Sequence, residues 1–223
     1  MIDYRLYLVT DDPSRYAGDW LENVLAAVEG GVTCVQYRDT ESADAERYAR
    51  VRRLQEALKA RRIPLIVNND ARLAAAVKAE GVHVGQHDLP VAEVRKLVGA
   101  GCEIGLSLTS MDDLKRLAVS APEAMPDALG IGPVFDARKT KADAAAALGP
   151  SGLSKILASI SSFENSPIRK FDDCSRSVAI GGITLDNAAE TLATGVGGLA
   201  VVSAFSKAAD PSATAKAFFR LLK

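Results

Sequence analysis

Ala179-Ile180-Gly181-Gly182-Ile183-Thr184 and, about twenty residues on, Gly197-Gly198-Leu199-Ala200-Val201-Val202-Ser203-Ala204 decide the fold. Each is a short apolar run that ends in small residues just before a helical pattern. A run of this length suits a strand buried on both faces. Gly181 and Gly182 let the backbone approach a ligand, because no Cβ stands in the way. Ser203 and Ala204 fall where a helix begins, so free N–H groups are expected there. Two consecutive strand ends of this kind make a phosphate cradle, as after strands seven and eight of an eight-stranded α/β barrel. The plainer reading is that these glycines only make turns.

Working outward, the same unit recurs. Strands are expected at 6–9, 32–36, 65–67, 82–84, 103–106, 128–131, 178–180 and 199–202. Helices are expected at 20–28, 43–60, 73–78, 90–98, 111–119, 153–160, 185–193 and 213–222. Strict alternation argues a parallel sheet with helical cover. Eight units favour closure, so the fold class is α/β, a single (β/α)8 TIM barrel over 1–223. No G-x-G-x-x-G follows the first strand, which argues against a dinucleotide fold. Two long loops stand out: 135–150, a lid candidate after strand six, and 161–177, expected as a polar surface insertion.

The 223 residues carry a formal net charge of −1 and are 48% hydrophobic, enough for one sizeable core. That balance gives no reason to expect nucleic acid or an anionic membrane as partner. No apolar run approaches the roughly 20 residues that span a bilayer. The start, Met1-Ile2-Asp3-Tyr4-Arg5, lacks a signal-peptide layout. Cys34, Cys102 and Cys174 are an odd count without metal-like spacing, which points to a reducing, cytoplasmic setting. The oligomeric state, including a homo-oligomer, stays open.

Barrel chemistry comes from strand C-termini. In order these are Gln36-Tyr37-Arg38-Asp39-Thr40, Asn68-Asn69-Asp70, Gly85-Gln86-His87-Asp88, Ser107-Leu108-Thr109-Ser110 and Gly132-Pro133-Val134-Phe135. Arg38 with Gln36 suits phosphate oxygens; the alternative is an Arg paired with Asp39 or Asp70 as scaffolding. Asp70 and Asp88, with the amides of Asn68 and Asn69, could hold a hard cation, and the competing use is helix N-capping. His83 reads as a hydrogen-bonded core residue rather than a base. Arg138, Lys139 and Lys141 form a cationic loop tip, or a solvated charge run. No Ser/His/Asp order and no zinc motif is evident. Such a mouth suits departure of a pyrophosphate leaving group.

The motifs together resemble thiamine phosphate synthases. They are Leu6-Tyr7-Leu8-Val9-Thr10-Asp11, Gly31-Val32-Thr33-Cys34-Val35-Gln36-Tyr37-Arg38, Ile66-Val67-Asn68, Gly81-Val82-His83-Val84-Gly85-Gln86-His87-Asp88-Leu89-Pro90, Ile104-Gly105-Leu106-Ser107, Gly130 to Phe135 and the two opening stretches. The resemblance covers nearly the whole chain in order. It implies a transferase that joins hydroxymethylpyrimidine pyrophosphate to hydroxyethylthiazole phosphate, giving thiamine phosphate and pyrophosphate by a dissociative route. It implies that Gln36, Arg38, Asn68 and Ser107 hold the pyrimidine pyrophosphate, with Thr40 beside them. Mg2+ would sit on Asn69 and Asp88, with Asp70 as the alternative to Asn69. Gly182, Val202 and Ser203 would hold the thiazole phosphate, and Thr140 and Lys141 would belong to the lid. Arg38, Ser107 and Lys141 would be the catalytic set.

Three departures from the family pattern are visible. Thr40 stands where the family has Lys. Asn69 stands where it has the first metal Asp. The lid, Phe135-Asp136-Ala137-Arg138-Lys139-Thr140-Lys141, lacks the family's Pro and first Thr and has one extra residue. Arg138 or Lys139 is the expected replacement for the lost cation. A thiazole-phosphate isomerase barrel and a non-catalytic barrel binding thiazole or thiamine phosphate are the alternatives weighed.

Overall fold

The computed structural model describes residues 1–138 and 144–222. Its strands are β1 (Leu6–Val9), β2 (Cys34–Tyr37), β3 (Leu65–Asn68) and β4 (Gly81–Val84), then β5 (Glu103–Leu108), β6 (Ala128–Ile131), β7 (Ser177–Ile180) and β8 (Gly198–Val201). The helices between and after them are α1 (Trp20–Glu29), α2 (Asp44–Lys59), α3 (Ala71–Val77), α4 (Val91–Val98) and α5 (Met111–Ala118). They continue with α6 (Gly149–Ile160), α7 (Leu185–Leu192), α8 (Ser203–Ser206) and α9 (Pro211–Leu221). All neighbouring strands pair in parallel, and β8 pairs back onto β1 (Leu6↔Leu199, Tyr7↔Ala200), which closes the barrel.

Closure explains the unbroken apolar runs. Successive side chains of a strand point to opposite faces, and here both faces are covered. Leu8, Val35, Val67, Ile104, Leu129 and Val201 face outward into one core cluster with the helices. Tyr7, Val9, Cys34, Ile66, Ala128 and Val178 face inward into a second cluster. Gln36, Asn68 and Ser107 share the inward parity and lie nearest the strand C-termini.

The N-terminal segment covers the opposite end. Ile2 donates its backbone N–H to Glu103 Oε1 (2.9 Å) and the Tyr4 hydroxyl donates to Glu103 Oε2 (3.1 Å). Arg176 pairs with the same carboxylate, and the Tyr4 ring meets Tyr7 edge-on at 5.6 Å. Among the described residues no helix is long and apolar enough to cross a membrane.

Helix starts follow local chemistry. Asp19 accepts from Leu21 N and Glu22 N at the start of α1, and Thr184 with Asn187 forms a capping box on α7. Two elements differ from the expectation. α6 begins at Gly149, four residues before Leu153, because Leu148 N and Gly149 N bond back to Pro133 O (2.8 Å) and Val134 O (2.9 Å). The 161–177 stretch, expected as polar surface, contains a 3₁₀ turn, Pro167–Phe171, whose Ile168 and Phe171 are wholly buried. Those two apolar residues anchor an otherwise polar segment between α5 and α6.

Phe171→Ala is expected to lower stability by about 3–5 kcal/mol. Chemical denaturation should show a lower midpoint with the slope retained; a loss under about 1 kcal/mol would mean that the turn lies outside the core.

Candidate active site

The open rim is built from strand ends, beginning with β1 and β2. Thr10 fastens them: its Oγ1 donates to Arg38 O (2.7 Å), and Arg38 N donates to Thr10 Oγ1 (2.8 Å). The Arg38 guanidinium lies 3.5 Å from Asp12 Oδ2 and 3.8 Å from Asp11 Oδ1, both carboxylates being buried. Arg15 shares the two acids at 3.5 and 3.7 Å. The scaffolding partners expected for Arg38 were Asp39 or Asp70; the ion pairs formed are to Asp11 and Asp12. Neither Asp11 nor Asp12 is among the candidate site residues drawn from the sequence. Their position at a barrel strand's C-terminus was the signal that could have marked them.

Thr40 is also drawn to β1. Its N–H lies 2.6 Å and its hydroxyl 2.9 Å from Asp12 Oδ1. Asp39 is buried and accepts from the Tyr37 hydroxyl (2.9 Å), Arg50 Nη1 (3.1 Å) and Ser42 N (3.0 Å). Burial pushes its carboxyl up, but the bonds from Ser42, Tyr37 and Arg50 outweigh that and hold it below its ordinary value. Gln36 donates to the Tyr7 hydroxyl inside the barrel at 2.5 Å.

At the end of β3, Asn69 takes a left-handed conformation (φ +60°) and its N–H reaches His83 O at 2.8 Å. Asp70 caps α3, accepting from Leu73 N at 2.8 Å, and pairs with Arg47 at 3.3 Å. Asp88 closes the turn after β4 by accepting from Gly85 N at 2.7 Å, while Pro90 takes the cap position of α4. Helix capping is therefore realised by Asp70 alone of the two, while Asp88 bonds within its own turn. Thr40, Asn68, Asn69 and Asp70 line one cavity of about 460 Å³.

Ser107 Oγ lies 3.0 Å from His83 Nε2. The ring occupies space left by two glycines: a Cβ on Gly105 would stand 2.3 Å from His83 Nδ1, and one on Gly130 2.8 Å from Cε1. Burial pushes the imidazole down to about 4, so it is neutral at pH 7.

Across the rim, Val134 N and Phe135 N donate to Ile180 O (2.8 Å) and Gly181 O (3.0 Å). Gly181 and Gly182 have φ of +97° and +65°, and a Cβ on Gly182 would stand 2.8 Å from Phe135 Cβ. The glycine pair thus meets the chain after β6 as well as the mouth. The Asn187 side chain donates to Gly182 O at 2.9 Å. Val202 caps α8, whose first internal bond runs from Phe205 N to Val202 O (3.0 Å), so the N–H groups of Ser203 and Ala204 precede it. Ser206 joins α8 to the chain after β1 by donating to Asp11 Oδ2 at 3.1 Å. Arg138 is exposed and paired with Asp136 at 2.9 Å. Lys139, Thr140 and Lys141 lie outside the described residues. Among the described residues no group of three or more His, Cys, Asp or Glu converges as a metal cluster.

The family model described as thiamine monophosphate synthase matches residues 6–205. A thiamine-phosphate synthase from Desulfitobacterium hafniense is 38% identical over 99% of this chain and 98% of its own length. A multifunctional thiamine biosynthesis protein from Corynebacterium glutamicum is 40% identical over 96% of this chain, which spans only 27% of that longer protein. Among solved structures, the thiamine phosphate pyrophosphorylase of Pyrococcus furiosus superposes with a TM-score of 0.79 at 30% identity, covering 99% of this chain and 96% of that one.

The buried His83 generates a pH prediction. A base that stays neutral in the fold but takes up a proton when unfolded supports the fold above its ordinary value of 6.5. That support should fall away between pH 6.5 and about 4, by about 3 kcal/mol in all. Denaturation midpoints across this window should fall less steeply for His83→Gln; parallel profiles would exclude His83 as the source.

Proposed function

The chain belongs to the thiamine monophosphate synthase family, and on that premise we propose how its barrel mouth works. The protein is a transferase that makes thiamine phosphate from hydroxymethylpyrimidine pyrophosphate and hydroxyethylthiazole phosphate. One observation carries the assignment of residues. Gln36, Arg38, Asn68 and Ser107 fall at the ends of β2, β3 and β5, while Gly182, Val202 and Ser203 fall at the ends of β7 and β8. Two anionic groups can therefore bind one rim from different sides.

The reaction breaks the bond between the pyrimidine methylene carbon and a diphosphate oxygen. The electron pair leaves with pyrophosphate, and the thiazole nitrogen lone pair forms the new C–N bond. No proton has to be removed, so the step asks no general base of the inner histidine, His83, which is neutral and tied to Ser107. Arg38 presents its fork to the diphosphate oxygens and stabilises charge as the group departs. Asp11 and Asp12 hold that fork in place. Gln36, Asn68 and Ser107 orient the pyrimidine half, with Thr40 at its edge. The N–H groups near Gly182 and Ser203 bind the thiazole phosphate.

Asn69 and Asp88 would hold Mg2+. One carboxylate and one amide oxygen fit an ion that takes its other ligands from water and substrate phosphates, whereas Asp70 is engaged by Leu73 and Arg47. When bound, the ion supplies neutralisation of diphosphate charge. The 135–150 loop is proposed as the lid, since it is fastened at both ends, Phe135 to Gly181 just after β7 and Leu148 to Pro133 after β6. Its Thr140 and Lys141, which would join Arg38 and Ser107 in catalysis, belong to this proposal alone. A cytoplasmic enzyme with small-molecule partners is the setting the reading implies.

A coupled pyrophosphate assay tests it. Release should require both substrates and should stop with EDTA and return with Mg2+; isomerisation of the thiazole phosphate without a co-substrate would overturn the reading. Arg38→Ala should lower kcat/KM for the pyrimidine substrate by about 100-fold or more, and Asp88→Asn should raise the Mg2+ concentration needed for half-maximal rate.

A further inference from the structure

The cavity outside β3 has a cationic wall that the assignments above leave unused. Its lining includes Thr40, Ser42, Arg47, Asn68 and Arg72. Arg47 stands in the first turn of α2 and Arg72 in the first turn of α3, so both lie at the rim end of their helices. The two carboxylates that also line the cavity, Asp39 and Asp70, are already engaged. Asp39 accepts from Tyr37, Ser42 and Arg50, and Asp70 caps α3. Thr40 brings no charge, and both its N–H and its hydroxyl go to Asp12.

Arg47 is held loosely by comparison. Its Nη1 is 3.3 Å from Asp44, whose side chain is fully exposed, and its Nη2 is 3.3 Å from Asp70. Its Nε is buried with no hydrogen-bond partner. A buried N–H in that condition is uncommon and asks for an acceptor. The guanidinium edge that carries Nε is half of a fork matched to two phosphate oxygens. A swing toward the cavity would exchange two long pairs for one bidentate contact. Arg72, exposed on the same wall, adds a second positive charge.

We propose that Arg47, assisted by Arg72, binds the distal phosphate of the diphosphate substrate in this cavity. The proposal rests on the function given above and names two binding residues that it does not include. In this chain the outer diphosphate contacts then come from the starts of α2 and α3, and the released pyrophosphate shares them.

The test compares wild type with Arg47→Gln, Arg72→Gln, the double variant and Arg47→Lys. The readouts are KM for each substrate and the inhibition constant of inorganic pyrophosphate. Each single Gln variant should raise KM for the pyrimidine diphosphate and the pyrophosphate inhibition constant by about 10-fold, the double variant further. KM for the thiazole phosphate should stay put, and Arg47→Lys should restore part of the loss. A merely structural role would move both KM values together, and that result overturns the proposal, as do unchanged constants in the double variant. Arg72 is exposed, so its variant gives a reading even if Arg47→Gln folds poorly. Wild type that makes thiamine phosphate alongside unaffected variants sinks this inference alone. Wild type that releases no pyrophosphate sinks the functional reading; calorimetric titration of inorganic pyrophosphate into wild type and Arg47→Gln then decides the cavity, loss of binding in the variant supporting it and equal or absent binding overturning it.

Discussion

The pairing of β8 with β1 is the constraint on which the remaining structure depends. With every strand flanked on both sides, no sheet edge remains open, and each strand must satisfy an inner and an outer face at once. The outer face takes branched aliphatics against the helices. The inner face has little room, and its occupants are chosen in pairs: the imidazole of His83 fits only because Gly105 and Gly130 carry no side chain. Closure also makes the two ends of the barrel different, because the Tyr4–Glu103–Arg176 cluster covers one end and the strand C-termini collect at the other.

At that open end, charge is organised by β1. Asp11 and Asp12 are buried side by side, and two buried carboxylates are tolerable only with cations and donors around them. Arg38 and Thr40 supply these from the end of β2, Arg15 from the turn after β1 and Ser206 from α8. Arg38 is thereby held at the mouth without depending on its own loop. Thr40 gives both its N–H and its hydroxyl to Asp12, and the arginines lining the cavity near Asn68 come from α2 and α3.

Much of this was legible in order along the chain. Strand 7 and its glycines were read from Ala179 to Thr184, strand 8 from the run into Val202, and the helices from capping and apolar spacing. These are local signals, set by neighbours a few residues apart. The packing of Ile168 and Phe171 was missed because two apolar residues in a polar stretch carry no period. The partners of Arg38 were missed because Asp12 is 26 residues away, and the Ser206 bond to Asp11 spans 195. The unpartnered Nε of Arg47 has no sequence signature at all, since burial of a single atom depends on residues distant in the chain.

The sequence alone determined the eight-unit alternation, the closed parallel barrel and the family, because backbone periodicity and short motifs are carried by adjacent residues. Tertiary structure alone decided which of several acids holds Arg38, that Asp70 is engaged by a helix end and an arginine, and that a turn within 161–177 belongs to the core. Those outcomes depend on distances across the ring between residues far apart in the chain, and such distances exist only once the last strand meets the first.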